Sequence, residues 1–403
     1  MRMTSARFWL SLVLLAFFAV REGWGFGIAL PSLPQPDGLS SKQIETLAQR
    51  RYGKGEDDES PLGDRVVVIT GAAGGIGREL SRVVYGLGGT VVAMDRDEIG
   101  LENLKEALEL SASGSQERLI CLPTQHEDLA SVSASADKIT SQFDRVDLLV
   151  NNAGLTYRDD CEQGSASMKS KHGNDLAFTV NFLSHVLLVE KLMPSLQASE
   201  SGRIVHLTSS YHWKVDGSEI VPCSNGSGPL AYQSDPSKMS DRHLGRSYAN
   251  TKLAQLWHSR SIQGCTSVCA CPTWASTGIA GDENRAFLER FAFPVSGPGI
   301  TSALNAMLRT DDELGDALNN GRSFVANSRI IESIVPRDGV TLDLITQLGW
   351  RDSIVDLQGL ILLLGQRFTH EEIIIQETSP ESQNSEGQRA LYEWSLKEIE
   401  PFL

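Results

Sequence analysis

The stretch "SYANTKLAQLW" (247–257) sets Tyr248 and Lys252 four positions apart in a helical pattern. At about 3.6 residues per turn the two share a face, so the ammonium can sit beside the phenol. A free tyrosine, with a pKa of about 10, is a poor base at neutral pH. A neighbouring cation favours phenolate, which makes the pair a group able to take or give a proton. Two further polar sites interrupt apolar runs. "GRIVHLTSS" (202–210) reads as a strand with hydroxyls at its C-terminal end, the edge at which open α/β sheets bind ligands. "FTVNFLSHVLLVEKL" (178–192) reads as an apolar helix carrying one buried amide, Asn181. Singly, each is as well explained by an exposed charge, a surface aromatic or a satisfied core amide; their order along one chain is what carries the signal.

The elements that must position these groups begin at "VVVITGAAGGIGREL" (66–80). Its β-branched run, Val66 to Ile69, reads as a buried strand, Thr70 and Gly71 open a turn, and "GREL" starts a helix. Unpaired N–H groups and partial positive charge at a helix N-terminus suit a pyrophosphate. Glycine is required where backbone must approach that phosphate or where a side chain would strike the strand. A second strand follows, "TVVAMDRD" (90–97), with Asp95 at its end, 24 residues after Gly71. An acid there can bind the hydroxyls of an adenosine ribose. "RVDLLVNNAG" (145–154) is a further buried strand ending in paired amides and a small-residue turn. Strands alternating with helices predict an α/β chain with a doubly wound parallel sheet.

TGAAGGIG, NNAG, a serine at a strand end and YANTK, in that order, resemble the short-chain dehydrogenase/reductase family over residues 64–281. Gly71, Gly74 and Gly77 also fit the G-x-x-G-x-x-G spacing of an epimerase-like branch, whereas NNAG favours the reductase branch. Within the family the chain is most similar to the retinol-dehydrogenase-like oxidoreductases, in part through its closing "LYEWSLKEIEPFL". The resemblance implies a Rossmann-like, three-layer α/β/α fold around a seven-stranded parallel sheet. It also implies an NAD or NADP cofactor and hydride transfer between nicotinamide and the alcohol or carbonyl carbon of a small apolar substrate.

It assigns Tyr248 the acid/base role and gives Lys252 a second task on the nicotinamide ribose. Ser210, with Ser209 adjacent, would hydrogen-bond the substrate oxygen, and Asn181 would hold a relay water. The cofactor contacts it implies are Thr70, Gly71, Gly75, Ile76, Gly77, Asp95, Arg96, Asn152, Ala153, Gly154 and Thr277, beside Tyr248 and Lys252. Asp95 would repel the 2′-phosphate that Arg96 attracts; contact with the ribose favours the acid, and hence NAD. Two other readings stay open: a protochlorophyllide-reductase-like enzyme, suggested by "STGIAG", and a nucleotide-binding regulatory module without turnover.

The chain departs from the family in three places. Gln125 stands at the usual adenine-reading acid, followed by His126, read as a solvated loop residue. Thr273 replaces the glycine expected after the sixth strand. Between Ser210 and Tyr248 lie 37 residues rich in Gly, Pro and Ser, which read as a loop shaping substrate entry and contain the sequon Asn225-Gly226-Ser227.

With 51 acidic against 36 basic residues in 403, a net charge of −15 argues against nucleic acid as a partner. Three of the six cysteines crowd residues 265–271 without finger spacing, which reads as a buried strand and not a metal site. Arg2 and Arg7 precede a thirteen-residue apolar run (8–20), short of the about 20 residues a membrane span needs. Residues 1–25 therefore read as a signal peptide, with an uncleaved anchor as the rival, and 26–62 as a weakly ordered linker. This places the chain on the secretory route, in the lumen or membrane of the endoplasmic reticulum; a plastid of secondary origin is the alternative. The catalytic domain is read as 63–329, with a C-terminal extension over 330–403 packing on it. In the extension, the apolar run at 357–364 reads as a core helix, with a membrane-contacting or substrate-covering helix as the alternative. A homo-oligomer is compatible with all of these readings.

Overall fold

The computed structural model describes residues 37–53, 60–111, 118–156, 169–222, 229, 241–273, 275–280, 292–318, 323–328 and 370–403. In chain order the main elements are α1 (Ser41–Tyr52), β1 (Val66–Thr70), α2 (Gly75–Gly86), β2 (Thr90–Asp95), α3 (Glu98–Ser111), β3 (Leu119–Pro123) and α4 (Leu129–Gln142). Then come β4 (Leu148–Asn151), α5 (Leu176–Gln197), β5 (Arg203–Leu207), α6 (Asp241–Ser261), β6 (Thr266–Cys271), α7 (Thr301–Leu308), β7 (Ser323–Ser328), β8 (His370–Glu377) and α8 (Ser385–Ile399).

The strands form one sheet in the order β3-β2-β1-β4-β5-β6-β7-β8, parallel up to β7. Their near-continuous Val, Ile and Leu content follows from burial on both faces. Along β1 the side chains alternate. Val66 and Val68 join the core under α4, α5, α6 and α8, whereas Val67 and Ile69 join the core under α1, α2, α3 and α7. The result is the doubly wound, three-layer α/β/α arrangement. The order reverses between β1 and β4, the switch point outside whose carboxyl ends ligands bind in such sheets.

Helix α5 is long and apolar enough to cross a membrane, yet most of it is buried against the sheet. Its second turn, Thr179–Leu183, is a π-helix centred on Asn181.

The structure adds two elements to the sequence expectation. The stretch read as a weakly ordered lead-in carries α1, nucleated by a capping box between Ser40 and Gln43. Leu39 and Ile44 flank that cap, and Leu47 and Ala48 are buried in the core beside α7. The sheet also has eight strands where the resemblance implied seven. β8 pairs antiparallel with β7, and α8 packs on α5 and α6. The apolar runs at 8–20 and 357–364, the sequon, and Cys161 and Cys223 lie outside the described residues. The other four cysteines are free, and the run at 265–271 supplies the buried strand β6.

Candidate active site

The glycine-rich turn between β1 and α2 is shaped by close approach. Gly71 has φ +65°, and a Cβ on Gly77 would stand 2.1 Å from the carbonyl oxygen of Gly71. A side chain at Gly74, by contrast, would meet only open space, and Gly74 caps α2 without a side-chain hydrogen bond. The first N–H groups of α2 therefore face an open cradle, the arrangement that receives a pyrophosphate. Ile76 is buried beneath it. Thr277 lies over Gly75, with its methyl 3.4 Å from where a Cβ there would be. These residues fit a dinucleotide.

Thr70 supports this cradle from below. It is fully buried, and its hydroxyl accepts from the backbone amides of Asn152 and Ala153, both at 2.9 Å. Asn152 in turn donates through Nδ2 to the carbonyls of Thr70 (2.7 Å) and Gly71 (3.1 Å). The expected contacts Thr70 and Asn152 thus clamp β1 to β4 and hold the loop, leaving the lining to the glycines, Ala153 and Gly154. At the end of β2 the carboxylate of Asp95 accepts from the amides of Ala73 (2.9 Å) and Asp97 (3.0 Å), while Arg96 is exposed. Each carboxylate oxygen retains a lone pair for a further donor.

At the carboxyl edge of β5 and β6, α6 brings Tyr248 and Lys252 together, with Nζ 5.3 Å from the phenol ring centroid. Tyr248 is hydrogen-bonded to the side chain of Ser209, and the Tyr211 ring meets it edge to face at 5.7 Å. This differs by one residue from the expected Ser210. Extended backbone persists through Ser209, and the 3-10 turn Ser210–Lys214 begins immediately after it, with the backbone of Ser210 hydrogen-bonded to the Cys271 thiol. Burial pushes the Tyr248 phenol well above its ordinary range, reinforced by the neighbouring Cys271 and Tyr211. Burial brings Lys252 down to about 8. Its ammonium donates to the Leu207 carbonyl (2.8 Å) and to Oε1 of Gln255 (3.2 Å).

Asn181 stands beside this pair with its side chain engaged inside the protein. Oδ1 accepts from Leu155 N (2.8 Å), and Nδ2 donates to Leu155 O (2.9 Å) and Thr251 Oγ1 (3.0 Å). It anchors the strand-end segment after Gly154 to α6. Around it the sequence reading missed a buried polar layer. Gln255 is one member, and His185, His206 and His258 are the others. His126, expected in a solvated loop, is also buried; it bonds Ser184 at 3.1 Å and packs edge to face on His185. One signal was available: Gln255 falls on the same helical face as Tyr248 and Lys252, at i+7 and i+3.

Thr273, where the resemblance implied glycine, has φ 56°, in the left-handed region. That conformation costs a residue with a Cβ about 1–2 kcal/mol, and a β-branched side chain makes it an outlier. Glycine gives back about 0.5–1 kcal/mol through unfolded-state entropy. Thr273→Gly is therefore expected to raise stability by up to about 1.5 kcal/mol, read from the denaturant midpoint. A lower midpoint would show that the bond from Thr273 Oγ1 to Pro272 O (2.6 Å) outweighs the strain.

A phosphate cradle at the switch point and a Tyr–Lys pair thus share one sheet edge of a Rossmann-like fold. The family model described as short chain dehydrogenase matches residues 65–218. It is 34% identical over 165 residues to dehydrogenase/reductase SDR family member 7B of Xenopus tropicalis, covering 40% of this chain and 50% of that protein. Against dehydrogenase/reductase SDR family member 7 of Homo sapiens the identity is 30% over 173 residues, 43% of this chain and 48% of that one. The chain thus spans about half the length of the curated relatives it matches. The crystal structure of an uncharacterized protein from Mycobacterium paratuberculosis aligns with a TM-score of 0.54 at 18% identity, over 90% of this chain and 98% of that one. That likeness concerns the fold.

Proposed function

We propose that this chain is an NAD(P)-dependent oxidoreductase acting on CH–OH groups, with a small apolar alcohol or ketone as substrate. The observation that carries the reading is the Tyr248 phenol, bonded to Ser209 with the Lys252 ammonium beside its ring. A bound nicotinamide supplies or accepts the hydride. Tyr248 moves the matching proton at the substrate oxygen, taking it in oxidation and giving it in reduction. Ser209 is the hydroxyl that holds that oxygen against the phenol. Burial opposes phenolate, so its formation depends on a nearby positive charge, and Lys252, with a pKa of about 8, is protonated at neutral pH. Two of its three N–H groups are engaged within the protein, which leaves one for a ribose hydroxyl.

The test is oxidation of a panel of alcohols by the purified chain with each dinucleotide, followed by the absorbance of the reduced form. The panel includes retinol and other long apolar alcohols because of the closing "LYEWSLKEIEPFL". Absence of turnover with every alcohol and with the matching carbonyls would overturn the reading in favour of a binding module.

NAD is the proposed cofactor, because the Asp95 carboxylate at the end of β2 disfavours a 2′-phosphate at contact distance, while exposed Arg96 can turn to solvent. Asp95→Ala is expected to move the kcat/KM ratio toward NADP by about tenfold or more, on the scale of one lost charge contact. A wild-type preference for NADP that this substitution leaves unchanged would show that Asp95 does not face the ribose. Entry to the secretory route through residues 1–25 is part of the proposal; a full-length fluorescent fusion found wholly in the cytosol would overturn it.

A further inference from the structure

One buried side chain beside Lys252 has no part in the chemistry above. Gln255 is 1% exposed. Its Nε2 donates to the Asn181 carbonyl at 2.9 Å, and its Oε1 accepts from Lys252 Nζ at 3.2 Å. The orientation of the amide is forced, because a carbonyl can only accept and an ammonium can only donate. Asn181 lies in the π-helical turn of α5, where the regular ladder of the helix is interrupted. Its carbonyl takes a second donor, Nδ1 of His185, at 3.0 Å. That fixes the His185 tautomer and leaves Nε2 an acceptor 3.3 Å from the Thr70 hydroxyl, whose one proton is shared with the Val150 carbonyl, also at 3.3 Å. Thr70 is the residue that clamps the foot of the dinucleotide loop.

We propose that Gln255 is a positioning residue, which ties the Lys252 ammonium to the Asn181 carbonyl and, through His185 and Thr70, to the foot of the dinucleotide loop. The catalytic meaning of that link rests on the reading in the preceding subsection; the link itself does not.

The groups facing Lys252 are Tyr248 on its own helix, Cys269 and Cys271 on β6, His185 on α5 and His206 on β5. Burial keeps all of them neutral. It pushes the two thiols up to about 12 and about 11, raises the phenol, and holds both imidazoles well below their usual range. With no carboxylate ion-paired to Lys252 among the described residues, the charge on Lys252 depends on its bonds to Leu207 and Gln255.

The test reads Lys252 directly. The full chain is labelled with carbon-13 at the lysine ε position and titrated by NMR, and the Lys252 signal is identified by its loss in Lys252→Met. The expected wild-type midpoint is about 8. In Gln255→Leu it falls by about one pH unit or more, the scale of a lost hydrogen bond to a charged group. In Gln255→Glu it rises above wild type, because a carboxylate favours the ammonium. An unchanged midpoint in Gln255→Leu overturns the proposal. If that variant does not fold, an unchanged midpoint in Gln255→Glu does the same. Turnover is measured on the same samples, and in Gln255→Leu kcat is expected to drop about tenfold. A displaced midpoint in a chain that turns over no substrate removes the reaction while leaving the positioning in place.

Discussion

Tyr248→Phe is expected to lower turnover by about 10²–10⁴-fold, the usual contribution of a positioned acid/base group. That corresponds to about 3–5 kcal/mol of lost transition-state stabilisation. The substitution removes one oxygen and leaves the ring packed on Tyr211, so the fold and the dinucleotide cradle stay intact. Dinucleotide affinity, read by quenching of protein fluorescence, is expected to change by less than about threefold, since the open face at Gly74 is formed by other residues. A variant that keeps more than about a tenth of wild-type kcat would show that another group moves the proton. Ser209→Ala and Ser210→Ala separate the adjacent hydroxyls: loss of activity belongs to the first, because Ser209 is the one bonded to the phenol.

The second large effect is acid unfolding. Burial holds His126 and His212 at about 4 and His258 at about 3, and it keeps His185 and His206 well below the ordinary 6.5. All five are neutral in the fold and protonate freely once unfolded. The stability they contribute is fully present above about pH 6.5 and is lost as pH falls toward the folded values. Each such group forfeits about 1.4 kcal/mol per pH unit below 6.5, so by pH 5 His126, His212 and His258 together forfeit about 6 kcal/mol, and His185 and His206 act in the same direction. A domain has about 5–15 kcal/mol in total. The chain is therefore expected to unfold cooperatively at about pH 4.5–5.5, followed by circular dichroism, with His206→Gln moving the midpoint to lower pH. A chain still folded at about pH 4 would show that these imidazoles find water or a partner and do not remain neutral.

The sequence was most legible where local conformation is tied to residue type. The turn from Thr70 to Gly77 could be read because two of its glycines answer steric demands, Gly71 through positive φ and Gly77 through the 2.1 Å approach to Gly71 O. The Tyr248–Lys252 pair could be read because helical periodicity alone puts them on one face. A strand end carries no such signature. Extended backbone runs two residues past the last ladder pair of β5, so Ser209 and not Ser210 reaches the phenol.

Helix α1 was hidden by the polar composition around it, although the Ser40–Gln43 cap was already in the sequence. β8, "HEEIIIQE", is an edge strand whose pairing with β7 depends on contacts distant in sequence. His126 looks like a loop residue until α5 covers it, and that burial is a tertiary event. The amide link from Lys252 to Asn181 likewise requires α5 and α6 to meet, which no local pattern encodes.

The measurement that bears most directly on the account is transfer of deuterium. An alcohol oxidised in the panel is supplied with deuterium at its carbinol carbon, and the reduced dinucleotide is analysed by mass spectrometry for the wild type and for Tyr248→Phe. One deuterium on the nicotinamide ring per turnover is expected in the wild type, with a rate lower by about 10²–10⁴-fold in the variant. Reduced dinucleotide without deuterium, or equal transfer by both proteins, would contradict it.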